Sequence, residues 1–167
     1  MSPVPGFAIR NSRTSPALFQ DTANRRVVHQ FLAESPEVYW NKGRSQAVID
    51  RQISGAWICF GVFHGQGEDE TLVGFARVVS DGERFAYLAD VFILPEYRSK
   101  GLGKALVVAA FTQSADPASA DDAVSSDSTK WKWLLFASGR AVDLYVGLGF
   151  QPSGVSYELA PGALKVE

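Results

Sequence analysis

The stretch Val91–Lys104, with the sequence VFILPEYRSKGLGK, is the most informative part of this chain. Its apolar beginning predicts a strand that Pro95 closes, and a helix is predicted over 101–113. The motif Arg98-x-x-Gly101-x-Gly103 lies at the junction between the two elements. The stretch therefore predicts a strand, a glycine-rich turn and a helix in direct succession.

This junction has the chemistry of an anion cradle. The first backbone N–H groups of a helix have no intrahelical acceptor, and the helix dipole adds partial positive charge at the same place. Glycine allows a bulky diphosphate to approach the backbone closely, and Arg98, Lys100 and Lys104 supply balancing charge. The alternative is an ordinary strand-to-helix turn in which the glycines only tighten the bend.

Two other phosphate-binding motifs fit less well. A Walker-type loop requires Gly-Lys-Ser/Thr, but Gly103-Lys104 is followed by Ala105. A dinucleotide fingerprint requires a third glycine where Leu106 stands, and a strand-helix-strand context. Neither class is favoured.

The rest of the chain predicts an α/β domain of mixed α+β order. Strands at 56–64, 71–80 and 84–94 are joined by short turns and form a meander. Besides the helix at 101–113, the periodicity predicts helices over Thr22–Glu34, from Ser45 onward and over 139–148. Trp131–Phe136 reads as a buried strand, a short strand starts at Phe7, and the final strands follow Phe150.

Composition excludes several classes of function. The chain has 167 residues, and its 16 basic and 18 acidic residues give a net charge of −2, so it has no basic footprint for nucleic acid. One cysteine, Cys59, excludes an internal disulfide and a clustered-cysteine zinc site, and two histidines exclude a three-histidine metal site. No apolar run reaches bilayer length. We therefore expect a cytoplasmic protein that uses no metal and no membrane.

A second segment identifies the family that the chain resembles. Ala141–Phe150 reads as a helix with Tyr145 in its last turns, ending in Gly-Phe at the entry to a strand. Together with Arg98-x-x-Gly101-x-Gly103 at this spacing, it resembles the GNAT superfamily of acetyl-CoA-dependent N-acetyltransferases. The resemblance runs from about Trp57 to Phe150 in unbroken order.

The resemblance implies a fold and a cofactor site. It implies a central, mostly antiparallel mixed sheet that is splayed at the acetyl-CoA site and flanked by about four helices. The pantetheine arm would lie along the backbone of Val91, Phe92 and Ile93. The loop and helix start would hold the diphosphate through Arg98, Ser99, Lys100, Gly101, Leu102, Gly103 and Lys104. Ser138 stands where many relatives carry Asn, and a shorter polar contact is expected there.

The resemblance also implies direct acyl transfer to an amine. Tyr145 matches the family tyrosine that protonates the departing thiolate. Asp90 is the one acid on the strand that precedes the cradle, and two roles stay open for it. It is either a base or an anchor for the substrate ammonium, or it is a structural carboxylate paired with a backbone or Arg group.

The sequence says least about the identity of the acceptor. Candidate residues of its pocket are Tyr39, Trp40, Trp57 and Arg77, where the aromatics would suit an apolar or aromatic amine. We expect acetylation of a small-molecule primary amine. Acetylation of a protein or peptide amine and a non-catalytic acyl-CoA sensor are the alternatives.

The whole chain, 1–167, is predicted to form one domain. Residues 114–130 contain four Asp, five Ser and no aromatic, which predicts a mobile surface loop or, alternatively, a recognition flap. The strands after Phe150 would offer an edge suitable for a homodimer.

Overall fold

The computed structural model describes residues 4–38, 42–67, 70–116, 126–137, 139 and 141–152. The chain divides into two compact units, Met1–Phe136 and Ala137–Glu167. The first contains a sheet with helices packed on it. The second contains one described helix. The predicted final strands after Phe150 lie outside the described residues, as do 117–125 of the predicted loop.

A five-stranded mixed sheet forms the first unit. The strand order is β1-β2-β3-β4-β5; the first four strands run antiparallel to their neighbours, and β4 and β5 are parallel. The strands are β1 Phe7–Asn11, β2 Ile58–His64, β3 Thr71–Ser80, β4 Phe85–Ile93 and β5 Lys132–Leu134. This open mixed sheet confirms the predicted fold class, including the meander of β2, β3 and β4.

Five α-helices lie in the described residues, one more than predicted. They are α1 Pro16–Gln20, α2 Thr22–His29, α3 Gln46–Ser54, α4 Leu102–Gln113 and α5 Ala141–Val146. The additional helix, α1, is too short for a periodic apolar pattern. The predicted helix over Thr22–Glu34 is continuous, but its last part, Gln30–Glu34, is a π-helix. No described helix is both long enough and apolar enough to cross a bilayer.

The core lies on both faces of the sheet. On one face, α1, α2 and α3 cover a buried cluster that includes Phe19, Val28, Leu32, Ile49, Cys59, Phe63, Phe75 and Phe92. The alternate residues of the same strands, such as Phe60, Val78 and Leu88, are also buried, and α4 packs against β2, β3 and β4. A helix layer on each face explains why β2 is apolar almost throughout. Cys59 is a core residue.

The strand β5 is shorter and more exposed than the sequence predicted. Lys132 and Leu134 are exposed, and Phe136 is 79% exposed. The prediction of a buried strand is therefore wrong for this segment, although Trp131 is buried. The reason is that β5 is a three-residue strand beside only the first residues of β4.

Candidate functional site

The turn before α4 leaves a row of backbone amides without partners. Ser99 and Gly101 both have left-handed backbone conformations, with φ of 61° and 78°. The first hydrogen bond of the helix runs from the N–H of Ala105 to the carbonyl of Gly101, at 3.0 Å. The N–H groups of residues 99–104 donate to no group in the described part of the chain. Such a turn has the geometry in which backbone N–H groups bind anions.

Space above this turn is open. A Cβ placed on Gly101 would meet no atom within 4 Å, so the backbone is accessible from outside. Lys104 is exposed on the first turn of α4. The Nζ of Lys100 lies 5.3 Å from the ring centre of Tyr97 and 5.7 Å from that of Phe7, an arrangement typical of cation–π contacts. The positive charge predicted for this loop is therefore present.

Arg98 contacts protein groups on both sides of its guanidinium. Its Nε donates to the carbonyl of Ile93 at 2.9 Å, and its Nη1 and Nη2 reach the two carboxylate oxygens of Glu37 at 3.1 and 2.9 Å. The fork geometry of Arg matches a carboxylate in this bidentate way. Glu37 was not found from the sequence, because it lies 61 residues away and no local pattern marks it.

The edge of β4 that faces β5 is open over most of its length. The two strands pair only from Phe85 to Tyr87 on β4, so the rest of this edge, 88–93, has no strand partner among the described residues. The N–H of Leu94 donates to the carbonyl of Val73 on β3, at 2.8 Å. Because backbone groups alternate along a strand, those of Val91 and Ile93 face the open edge, and those of Phe92 face β3.

The side chain of Phe92 serves the core. Its ring stacks on Phe31, with centroids 4.1 Å apart and an interplanar angle of 14°. Phe31 belongs to the π-helix that ends α2. This contact joins the helical layer to the end of β4 that precedes the cradle.

Asp90 and Arg77 form an ion pair on the sheet beside the open edge. The Nε of Arg77 donates to a carboxylate oxygen of Asp90, and the side chains are 16% and 3% exposed. The thiol of Cys59 lies near both, and burial raises the pKa of this cysteine to about 12, although the charge of Arg77 acts to lower it. At neutral pH this group is therefore a protonated thiol and a poor nucleophile.

An exposed apolar surface continues from this ion pair. Val79, Tyr87 and Leu134 are register partners across β3, β4 and β5, so they share one face of the sheet with Arg77. The ring of Phe136 packs edge-on against Tyr87 at 5.9 Å. We call Val79, Phe85, Tyr87, Leu134 and Phe136 the apolar surface. The sequence did not indicate it, because only the register shows that these residues meet.

Trp57 lies at the opposite end of α4 from the cradle. Its Nε1 donates to the carbonyl of Ser114 at 2.7 Å, and the guanidinium of Arg13 lies 4.7 Å above its ring. Twelve helical residues separate the two ends by about 18 Å. Trp57, predicted as a residue of the acceptor pocket, therefore lies a helix length away from the cradle. Three other residues singled out in the sequence, Tyr39, Trp40 and Ser138, lie outside the described residues.

Tyr145 lies in α5, in the second unit. It is buried, and its ring packs edge-on against Phe150 at 5.8 Å. The N–H of Phe150 donates to the carbonyl of Tyr145 at 3.0 Å, and Gly149 between them has a left-handed φ of 93°. This turn is the helix end that the Gly-Phe pair predicted.

Comparison with known proteins agrees with this arrangement. A family model of the GNAT acetyltransferase domain matches residues 59–152. A GNAT-family protein from Xanthomonas campestris, known from its crystal structure, is 30% identical in sequence to this chain. The two structures superpose with a TM-score of 0.67, and the match covers 96% of this chain and 97% of that one.

Two curated relatives match part of the chain. The GCN5-related N-acetyltransferase 2, chloroplastic, of Arabidopsis thaliana is 37% identical over 99 residues, 54% of this chain and 33% of its own. The uncharacterized N-acetyltransferase ycf52 of Gracilaria tenuistipitata is 31% identical over 105 residues, 62% of this chain and 52% of its own. The chain thus spans from a third to about half of the length of these relatives. The family match covers more than half of this chain, and the chain belongs to the GNAT family of acetyltransferases.

Proposed function

We propose that this chain transfers the acetyl group of acetyl-CoA to the primary amine of a small molecule that carries an apolar group. The observation that supports this best is the row of unpaired amides at 99–104 beside the open edge of β4. The cradle suits a diphosphate, and the open edge suits an extended amide-containing chain. GNAT enzymes generally use acetyl-CoA, whose diphosphate and pantetheine arm have this chemistry.

The cradle residues bind the diphosphate through backbone groups and charge. The N–H groups of Ser99, Lys100, Gly101, Leu102, Gly103 and Lys104 are the proposed donors, and Ser138 is a further polar contact proposed from the family pattern. Arg98 is already engaged by Glu37 and Ile93, so its contribution to phosphate binding requires that it leave Glu37. This competition distinguishes Arg98 from the two lysines.

The open edge of β4 aligns the pantetheine arm and the acetyl group. Val91 and Ile93 present their backbone groups on this edge, but the carbonyl of Ile93 already accepts from Arg98. Of the two N–H groups on this edge, we place that of Val91 at the acetyl carbonyl. A preorganised backbone donor there stabilises the negative charge that develops on the carbonyl oxygen.

The chemistry is direct acyl transfer between the two bound substrates. The neutral amine attacks the thioester carbon, a C–N bond forms, and the C–S bond breaks to release the CoA thiolate. Tyr145 is the proposed acid that gives its proton to this thiolate, and the proton lost by the amine leaves through water. Cys59 takes no part, because it is a buried, protonated thiol.

The class of acceptor is proposed from the apolar surface. Large exposed apolar side chains gathered on one face commonly mark a binding surface. This surface begins beside Arg77 and Asp90, next to the open edge where the acetyl group is placed. An amine attached to an apolar or aromatic group would bury that group here. Because the carboxylate of Asp90 is paired with Arg77, we expect a polyamine to be a poorer substrate.

Release of CoA thiol tests the proposal. With acetyl-CoA and a panel containing phenethylamine, spermidine and a lysine peptide, phenethylamine should give the highest kcat/KM. The Tyr145→Phe variant should bind acetyl-CoA like the wild type and lose about 100-fold in kcat. Binding without thiol release for any amine would identify a sensor, and a preference for the peptide would favour the protein-acetylating alternative. A Tyr145→Phe variant with wild-type kcat would refute the acid role.

A further inference from the structure

A β-bulge interrupts β4 at Asp90 and Val91. Before it, Ala89 pairs with Arg77 of β3, and after it, Phe92 pairs with Phe75. Two residues of β4 therefore stand opposite the single residue Ala76 of β3. Asp90 has a left-handed backbone conformation, with φ of 53°. An extra residue of this kind bends the strand and re-aims the groups that follow it.

The bulge decides which amides face the open edge. The carbonyl of Arg84 accepts from the N–H of Lys132 on β5, at 2.7 Å, so even-numbered residues at the start of β4 face β5. At the end of the strand the order is reversed, because the N–H of Leu94 donates to β3. Without the extra residue, Val91 and Ile93 would point toward β3, and the open edge would lose the donor of Val91.

The ion pair of Arg77 and Asp90 lies on this bulge. Asp90 is the bulged residue itself, and its carboxylate is almost completely buried. Arg77 lies on the neighbouring strand β3, where it pairs with Ala89, the last residue of β4 before the bulge. Since a buried carboxylate that loses its partner is strongly disfavoured, the pair ties the left-handed residue to the neighbouring strand. Asp is also among the few residue types that tolerate this backbone conformation.

We propose that Arg77 and Asp90 are positioning residues that hold the bulge and thereby aim the N–H of Val91 at the acetyl carbonyl. This inference rests on the proposed acetyl transfer. In this role Asp90 positions the N–H that donates to the oxyanion and does not remove the proton of the amine. Arg77 has the same positioning role. The pair therefore acts as one unit.

A double-mutant cycle tests this unit. The variants are Arg77→Gln, Asp90→Asn and the double variant, in which two neutral amides replace the ion pair and Asn still tolerates the left-handed backbone. We expect each single variant to lose about 30-fold in kcat, with little change in KM for acetyl-CoA. The double variant should recover to within about fivefold of the wild type. The acidic limb of the pH profile of kcat/KM should persist in Asp90→Asn.

If Asp90 were instead a base or an anchor for the substrate ammonium, the variants would behave differently. In that case Asp90→Asn and the double variant would be equally inactive, the acidic limb would disappear, and Arg77→Gln would keep most of its activity. That pattern would overturn the proposal. The matched variants Asp90→Gly and Asp90→Ala provide a second test, because, of these two residue types, only glycine accepts a φ of 53° without strain. We expect Gly to be about tenfold more active than Ala, and equal activities would also contradict the proposal.

A measurement independent of turnover separates this inference from the proposed function. In ¹⁵N-labelled protein, the amide signal of Val91 should move in both single variants and return toward its wild-type position in the double variant. A wild-type protein without transferase activity would refute the acetyl transfer while this amide still reports on the bulge. An unmoved Val91 amide in folded Arg77→Gln protein would refute the bulge-holding role itself.

Discussion

The two ends of α4 are built in opposite ways. At its C-terminal end, Ser114 accepts from Trp57 and Arg13 through its carbonyl, and its N–H donates to the hydroxyl of Ser128 at 3.2 Å. At its N-terminal end, the amides of 99–104 have no partner in the described part of the protein. We call the C-terminal end, where both backbone groups of Ser114 are bonded, the closed end, and the N-terminal end the open end. Since buried polar groups are normally paired, the closed end is structural, and the open end is available to a ligand.

The difference also explains where the aromatic and basic residues act. Trp57 and Arg13 complete the closed end and support the sheet. From the sequence, Trp57 was a candidate residue of the acceptor pocket. Lys100 and Lys104 lie at the open end, where no carboxylate of the described residues neutralises them. Basic side chains therefore serve packing at the closed end of α4 and are available to a ligand at its open end.

Substitution of Gly101 should give the largest effect on ligand binding. Gly101→Asp places a negative charge and a side chain in the open space above the unpaired amides. We expect its Kd for acetyl-CoA to rise about 100-fold, equivalent to about 2.7 kcal/mol, and that of Gly101→Ala to rise about tenfold. Isothermal titration calorimetry measures both. An unchanged Kd in Gly101→Asp would show that the cradle does not hold the diphosphate.

Gly82 is the matched glycine at the closed end. Its φ is 85°, close to that of Gly101, but a Cβ there would lie 2.5 Å from the ring of Trp57. We expect Gly82→Ala to lower the free energy of unfolding by about 2 kcal/mol, through backbone strain and overpacking, with an unchanged Kd for acetyl-CoA. Urea unfolding measures the stability. Weakened acetyl-CoA binding at full stability would contradict the division between the two ends.

The pair of Glu37 and Arg98 should give the smallest effect. Both side chains are exposed beyond a third of their surface, so the pair itself contributes little to stability. Because Glu37 occupies the guanidinium and would compete with a phosphate for it, Glu37→Gln should lower the Kd for acetyl-CoA by up to about fivefold. Arg98→Gln is its control and should raise the Kd. A higher Kd in Glu37→Gln would mean that Glu37 supports the loop in its binding form.

The local parts of the site could be predicted from the sequence. The strand Thr71–Ser80 has its predicted bounds, because turn residues flank it on both sides. The glycine motif predicted a turn followed by a helix over 101–113, and the structure has the turn, with a left-handed Gly101, and a helix from Leu102. These features depend on residues within a few positions of one another, and propensity and spacing report on such short distances.

The parts that depend on register could not be predicted. The bulge at Asp90 is a difference in pairing between two strands, and Arg77 lies 13 residues away from it. The apolar surface likewise exists only because Val79, Tyr87 and Leu134 are aligned across three strands. The hydrogen bond from the indole N–H of Trp57 to the carbonyl of Ser114 likewise joins residues 57 positions apart, and no local pattern marks it.

Titration of ¹⁵N-labelled protein with acetyl-CoA, followed by amide chemical shifts, distinguishes binding at the open end of α4 from binding at its closed end. The largest shifts should occur at the unpaired amides of residues 99–104 and at Val91, while the indole N–H of Trp57 and the amide of Ser114 keep their positions. Absence of binding up to millimolar acetyl-CoA, or shifts confined to the closed end of α4, would show that the open end is not the acetyl-CoA site.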